Sequence, residues 1–413
     1  MGVRLCLALG LICIAGPAWA DEGLFSPSDL SGMLDLRASM ADGEHSWLDG
    51  GFGKTRVSGA GGGYAGTATI GDSYLAWTPH LTWDLGAVIV GQDQPDHDRA
   101  PALDQAFLVY KPTPKSQTRY SVRLGLFYPP VSEEHTGPAW IDQDMITPSA
   151  INSWIGEEVK VVGLEGSVRH DFGEQQLGLT AGVFGFNDTA GTLLATRGWA
   201  LDDIRAGAPG HYELPPLSAF MGWVQAPITT PVATIDHRAG GYARADWRIN
   251  DRLAIDAFYY DNQGDMTGFD NFQWAWNTRF WNLGARLDLG GGTRVLSQLV
   301  SGETRMGYAD PDPWVDTRFD AAYLLVTHAF GGDALSGRID AFQTLDRADE
   351  EYGDTREHGW SATADYRKRL TAHANLLFEA LHVFSDRPAR ADILGEPQKQ
   401  AQTVLQAALR LSF

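Results

Sequence analysis

Residues 402–413 read QTVLQAALRLSF. Thr403, Leu405, Ala407, Leu409, Leu411 and Phe413 fall on one face of an extended chain, and Gln402, Gln406, Arg410 and Ser412 on the other. Side chains on a strand alternate between two faces, so this spacing predicts a strand with one apolar and one polar side. It runs to a terminal aromatic, where a soluble protein would be expected to fray.

The pattern recurs upstream. Leu34, Leu36 and Ala38 alternate with Asp35, Arg37 and Ser39, and Tyr120, Val122 and Leu124 with Arg119, Ser121 and Arg123. Leu177, Leu179, Ala181 and Val183 oppose Gly178, Thr180 and Gly182, while Ala243, Ala245 and Trp247 oppose Arg244, Asp246 and Arg248. Further on, Leu283, Ala285 and Leu287 oppose Asn282, Arg286 and Asp288, and Ala362, Ala364 and Tyr366 oppose Thr363, Asp365 and Arg367. In 317–330 the apolar set is Phe319, Ala321, Tyr323 and Leu325, set against Arg318 and Asp320. Sixteen strand cores follow: 31–39, 64–76, 80–90, 103–111, 118–127, 158–169, 176–185, 240–249, 252–261, 276–289, 293–303, 317–330, 335–344, 358–368, 372–384 and 402–413.

Connections alternate between short (Thr78-Pro79, 171–174, Asn250-Asp251, 290–292, 331–333, Arg369-Leu370) and long (40–63, 91–102, 128–157, 186–239 and four more). An even strand count with tight turns at one end and long loops at the other describes an all-β, 16-stranded antiparallel transmembrane barrel of the Gram-negative outer membrane. Hydrocarbon cannot satisfy an open sheet edge, so the strand near Leu34 is expected to pair with that near Leu409. Aromatics near strand ends suggest two interfacial girdles, one of Trp77, Trp83, Trp247 and Phe413, the other of Phe127, Tyr128, Phe184, Phe186, Tyr259, Tyr260 and Trp274.

Composition narrows the class. With 52 acidic and 32 basic residues the net charge is −20, the wrong sign for a nucleic-acid binder. Fourteen Trp, 13 Tyr and 18 Phe exclude disorder. After residue 20 no apolar run is long enough for a membrane helix. Residues 1–20 read as a secretory signal, with Arg4, an apolar 5–15 segment and Ala18-Trp19-Ala20 before Asp21; 21–413 then form the barrel domain. Both cysteines, Cys6 and Cys13, lie in that segment, so the exported chain uses no disulfide.

If the apolar face meets lipid, the polar face looks into the lumen, and sixteen strands leave room for a water-filled channel. The inward bases are then Arg37, Arg119, Arg123, Arg169, Arg244, Arg248, Arg286, Arg318, Arg338, Arg367 and Arg410; inward acids include Asp35, Glu165, Asp246, Asp256, Asp288, Asp320, Asp340, Asp365 and Glu379. The third loop, Tyr128 to Glu157, is stiffened by Pro129, Pro130 and Pro138 and is apolar enough to pack, given Trp140, Ile141, Met145, Ile146, Ile151, Trp154 and Ile155. Folded inward, it would narrow the pore and bring Glu133, Glu134, Asp142 and Asp144 towards Arg119, Arg123 and Arg169. Near-cancelling charges there predict weak ion selectivity.

The run from Arg123 to Pro130 (RLGLFYPP), Glu133-Glu134, 154–157 (WIGE), 161–166 (VVGLEG), 183–187 (VFGFN) and Gly198-Trp199 resembles the phosphate-selective porin O and P family. The similarity is sharpest over about 118–200. That resemblance implies a trimeric 16-stranded porin whose third loop constricts the channel. Phosphate-selecting members line the lumen with many lysines as well as arginines; this chain has six Lys, and only Lys160 lies near the third loop, on a parity that suggests the outward face. Expected partners are outer-membrane lipid and lipopolysaccharide, the barrel-assembly machinery, two further copies in a homotrimer, and small polar solutes, with no cofactor or metal.

Two other classes stay open: a barrel enzyme, for which His328 and His382 are the strand histidines to examine, and a binding or adhesion barrel with a filled lumen. Gly53-Lys54-Thr55 is no phosphate loop, because Leu48 stands where glycine is required. Asp310, Asp312 and Asp316 lack the remaining ligands of a calcium loop.

Overall fold

The computed structural model describes residues 26–59, 63–94, 98, 100–308 and 312–413. The segment read as a secretory signal, 1–20, and Asp310 lie outside the described residues. Sixteen antiparallel strands close into a barrel in sequence order. They are β1 (Leu30–Ala41), β2 (Ala65–Trp77), β3 (Leu85–Asp93), β4 (Ala102–Tyr110), β5 (Thr118–Phe127), β6 (Val161–Phe172), β7 (Gln175–Gly185) and β8 (Gly240–Arg248). The second half runs β9 (Leu253–Asp261), β10 (Asn277–Gly290), β11 (Thr293–Met306), β12 (Val315–Phe330), β13 (Asp333–Asp346), β14 (Glu357–Thr371), β15 (Ala374–Asp386) and β16 (Lys399–Ser412). Closure is made by β1 on β16, with Leu36 opposite Leu409 and Leu34 opposite Leu411.

The alternation dictates the wall. Leu36, Ile89, Leu108, Leu124, Leu179, Ile255, Leu283, Leu299, Leu324, Ile339 and Leu405 are exposed on the outside. A closed barrel wearing such a belt is built for a bilayer, since closure satisfies every strand edge while the belt meets hydrocarbon. No helix among the described residues is long and apolar enough to cross a membrane.

Five expectations need correction. The turn placed at Thr78-Pro79 spans 78–84, so β3 starts at Leu85, and the turn placed at Arg369-Leu370 falls at 372–373. Strand β12 is turned over: Phe319, Ala321, Tyr323 and Leu325 are buried inside, while Arg318 and Asp320 point outward with Leu324 and Val326. Both faces of its lower half are apolar, so alternation there does not say which face meets lipid. Of the second girdle, Phe127, Tyr128, Phe184 and Tyr260 are buried inside the barrel, while Phe186 is exposed; outward aromatics at that end include Tyr259, Trp281 and Trp360. Lastly, Lys160 is fully buried and paired with Asp104 at 2.7 Å, not outward.

The third loop (128–160) enters the barrel. Its helix α1 (Ala150–Glu158) is N-capped by Ser149, whose hydroxyl accepts the Asn152 N–H, and every residue of α1 is buried. Trp154 lies 5.2 Å from Phe280 and 5.1 Å from Phe319, which explains the inward apolar face of β10 and β12. The fourth loop (186–239) follows it inward, carrying the short helix α2 (Thr192–Thr196).

Candidate functional site

The lumen is shaped by how the third loop is tied to the wall. Its own acids do much of the work. Glu134 accepts hydrogen bonds from Ser149 Oγ (2.5 Å), the Ser149 N–H (3.1 Å) and Asn152, and lies 3.4 Å from Arg338 Nη1. Glu133 holds Arg244 at 2.8 Å and Arg286 at 3.2 Å. Asp144 pairs with Arg294 and lies 3.8 Å from Arg367. Asp142 caps its own turn by accepting the Asp144 and Met145 N–H groups, and its carbonyl accepts from Arg410 at 3.0 Å.

The wall answers with acids of its own. Asp340 accepts the first N–H of α1 at 3.1 Å, where the helix dipole favours a negative charge. Glu379 accepts the Ile146 and Thr147 N–H groups at 2.9 and 3.0 Å, and Arg338 donates to the carbonyls of Thr147 and Pro148.

Sequence reasoning missed the fourth loop entirely. Asp203 bridges Arg37 (2.7 Å) and Arg56 (2.9 Å), while Arg205 reaches Asp72 at 3.0 Å and donates to the carbonyl of Ala139. Arg197 pairs with Glu157 of α1 at 2.5 Å. No periodicity marks these residues.

The expected site residues divide into three groups. Arg37 and Arg410 are drawn together by Asp35, at 2.9 and 3.0 Å, below the fourth loop. Arg123 is bound in bidentate fashion by Glu165 (2.7 and 2.8 Å) and touches the third loop only through the Tyr128 carbonyl. Arg119, Arg169 and Arg286 stand in the periplasmic half, away from Glu134 and Asp142; Arg119 is taken by Asp171 at 2.6 Å. The four loop acids therefore meet Arg244, Arg286, Arg294, Arg338, Arg367 and Arg410 rather than Arg119, Arg123 and Arg169. Arg294 was not foreseen.

Burial differs among the partners: Arg338 is as buried as the loop acids, and Arg286 and Arg294 are not. Glu133, Glu134, Asp142 and Asp144 are all buried, whereas the side chains of Arg286 and Arg294 are 46% and 41% exposed. Burial pushes the Asp142 carboxyl well above its ordinary range, reinforced by neighbouring Glu134 and Asp144. Burial also raises Glu134, against the pull of Arg338. For Asp203 burial acts the same way, yet Arg37 and Arg56 overcome it and hold the group low. At several heights on β1, β3, β10, β11 and β13–β16 the inward side chains Asp35, Gln92, Asn282, Gln298, Asp340, Ser361, Glu379 and Gln402 are buried under the inward loops. In the periplasmic half, Arg119, Arg169, Arg248, Arg286 and Arg294 form an arc of accessible guanidinium groups from β5 to β11, with Asp171, Asp246 and Asp288 among them. His328 and His382 both face outward, bonded to Thr293 (2.8 Å) and Thr403 (3.1 Å), and neither meets a serine.

This is the architecture of sixteen-stranded outer-membrane barrels with an inward loop. Among solved structures the chain is similar to an anion-selective porin from Comamonas acidovorans, at 13% identity and TM-score 0.52, over 93% of this chain and 98% of that one. It is also similar to the outer-membrane channel DcaP of Acinetobacter baumannii, at 12% identity and TM-score 0.51, over 95% and 99%. At these identities the likeness is one of fold. No family model matches the chain, and no curated protein does.

Proposed function

We propose that this chain is a porin: a passive diffusion channel for small polar solutes, favouring anions. The observation that carries the reading is the asymmetry of charge. The third-loop carboxylates are buried against arginines, and Asp142 is held towards its neutral form, so the accessible lumen carries more guanidinium heads (Arg119, Arg169, Arg248, Arg286 and Arg294) than carboxylates (Asp171, Asp246 and Asp288). The aqueous route follows the arginine arc and is narrowed where the third and fourth loops cross. Fold likeness to an anion-selective porin supports this reading. Phosphate selectivity of the O and P type has less support, because Lys160 is spent on Asp104 and offers nothing to a solute.

The test is a planar-bilayer measurement in a potassium chloride gradient. The expected result is discrete conductance with a reversal potential on the chloride side. A reversal potential on the potassium side would overturn the anion preference.

The second reading, a filled-lumen binding barrel, is favoured by the many inward polar side chains that are buried, among them Asp35, Gln298, Asp340, Glu379 and Gln402. Folded protein that inserts yet shows no conductance would establish it. Assembly into a homotrimer, contact with lipid and lipopolysaccharide, and delivery by the barrel-assembly machinery belong to the porin proposal. Cross-linking in native membranes tests the trimer.

A further inference from the structure

The outer surface of the barrel carries a group of charges on β10–β12, at the edge of its apolar belt. Arg279, Glu303 and Arg318 are register neighbours on β10, β11 and β12, and all three point outward. Arg347 joins them from the loop after β13, at 2.7 Å from Glu303 and 2.5 Å from Asp316. Between them lies a cleft of about 350 Å³ bordered by Tyr259, Trp281 and Ser301.

Height along the strand says what this cleft faces. From Leu289 at the periplasmic end of β10 to Arg279 is ten residues, or about 25 Å of membrane height for a tilted strand. Arg279 thus stands at the outer edge of the apolar belt, one outward position above Trp281, which pairs with Tyr259 at 4.6 Å as interface aromatics do. Near the external ends of β6 and β7 the outward residues are Leu164 and Val183, so the charges do not form a continuous ring; a smaller outward set, His358, Asp386 and Lys399, lies apart on β14–β16.

Its donors are not all spent. Arg318 meets Asp320 only through Nε at 3.4 Å, its side chain is 52% exposed, and Asp320 is already served by Ser301 and Gln343. Arg279 spends Nε and one terminal nitrogen on Glu303. Guanidinium groups with free N–H forks at headgroup level match phosphate oxygens.

We propose that this cleft binds a phosphorylated headgroup of the outer leaflet, that of bis-phosphoryl lipid A, with Arg318 and Arg279 as its phosphate ligands. The inference rests on the outward face meeting lipid. It requires no conductance, so a silent barrel would leave it standing.

The experiment measures binding of purified bis-phosphoryl lipid A to the full chain in detergent, by native mass spectrometry, with dephosphorylated lipid A and inorganic phosphate as separate arms. Wild type should bind bis-phosphoryl lipid A and discriminate against the dephosphorylated form. Arg318→Gln should weaken binding about tenfold, the worth of one charge-assisted hydrogen bond. Arg279→Gln/Arg318→Gln should weaken it further. Lys368→Gln, an outward charge paired with Asp333 at the periplasmic rim, should change nothing. Heat-modifiable mobility verifies folding of each variant, and Arg318→Gln breaks only the 3.4 Å contact. Equal binding by wild type and Arg318→Gln, equal binding of dephosphorylated lipid A, or full displacement by millimolar inorganic phosphate would each overturn the proposal. So would loss of a cross-linked oligomer in Arg318→Gln with lipid binding intact, which would make the patch a contact between copies.

Discussion

The inner wall of β10–β12 in its external half and the inner wall of β5–β11 in its periplasmic half are built on the same two-residue alternation, and they do opposite things. The first presents Phe280, Val300, Phe319 and Ala321, all buried, and is dry because α1 lies on it. The second presents Arg119, Arg169, Arg248, Arg286 and Arg294 to water. A barrel strand thus need not be apolar outside and polar inside. What faces the lumen follows from what fills the lumen at that height.

The largest expected effect is on the ties between loop and wall. Arg338→Met leaves Glu134 and Asp340 buried without their cation and removes the donors to Thr147 and Pro148. It should cost about 4 kcal/mol, read as urea stability of the barrel in vesicles. Trp154→Ala attacks the dry wall itself, opening a cavity against Phe280, Phe319 and Trp199. A loss of about 3 kcal/mol is expected. A cost under about 1 kcal/mol in the same assay would mean that α1 is not packed there.

Acid should tighten the loops. Burial raises the Glu158 carboxyl to about 7, although Trp154 Nε1 and the N–H groups of Gly191 and Leu193 donate to it. A carboxyl raised on folding binds its proton in the folded state while the unfolded chain has already lost its own. Its contribution is therefore fully present below about 4.5 and is lost as pH climbs towards 7, up to about 3 kcal/mol. Hydrogen exchange of the α1 amides, corrected for intrinsic rates, should show more protection at pH 5 than at pH 8, and Glu158→Gln should flatten part of that difference. Equal protection at both values would remove Glu158 from the account.

The smallest effect on stability belongs to the wet wall. Arg286→Gln/Arg294→Gln should cost less than about 1 kcal/mol, since both side chains are nearly half exposed. It should nevertheless move the reversal potential towards potassium. An unmoved potential would place the ion route away from the arc.

Much of this was legible in the sequence. Alternation located all sixteen strands, and the pairing of Leu34 and Leu36 with the last strand followed from closure. The apolar content of 140–155 announced that the third loop would be buried. Alternation names two faces without saying which is inside, and Phe319 and Arg318 were exchanged for that reason. The partners of Glu133 and Asp144 lie more than 100 residues away in sequence, on strands whose angular position depends on barrel closure. The fourth loop carries no period at all, so the reach of Asp203 and Arg205 to β1 and β2 is visible only in three dimensions.

The central claim is that the third loop occupies the lumen cross-section and sets the size of the passage. Single-channel conductance of a variant lacking about 131–152, inserted in planar bilayers beside wild type, tests it most directly. Heat-modifiable mobility first shows that the shortened chain is a folded barrel. A conductance several times that of wild type is the expected result. A conductance equal to that of wild type would place the loop outside the route and contradict the account.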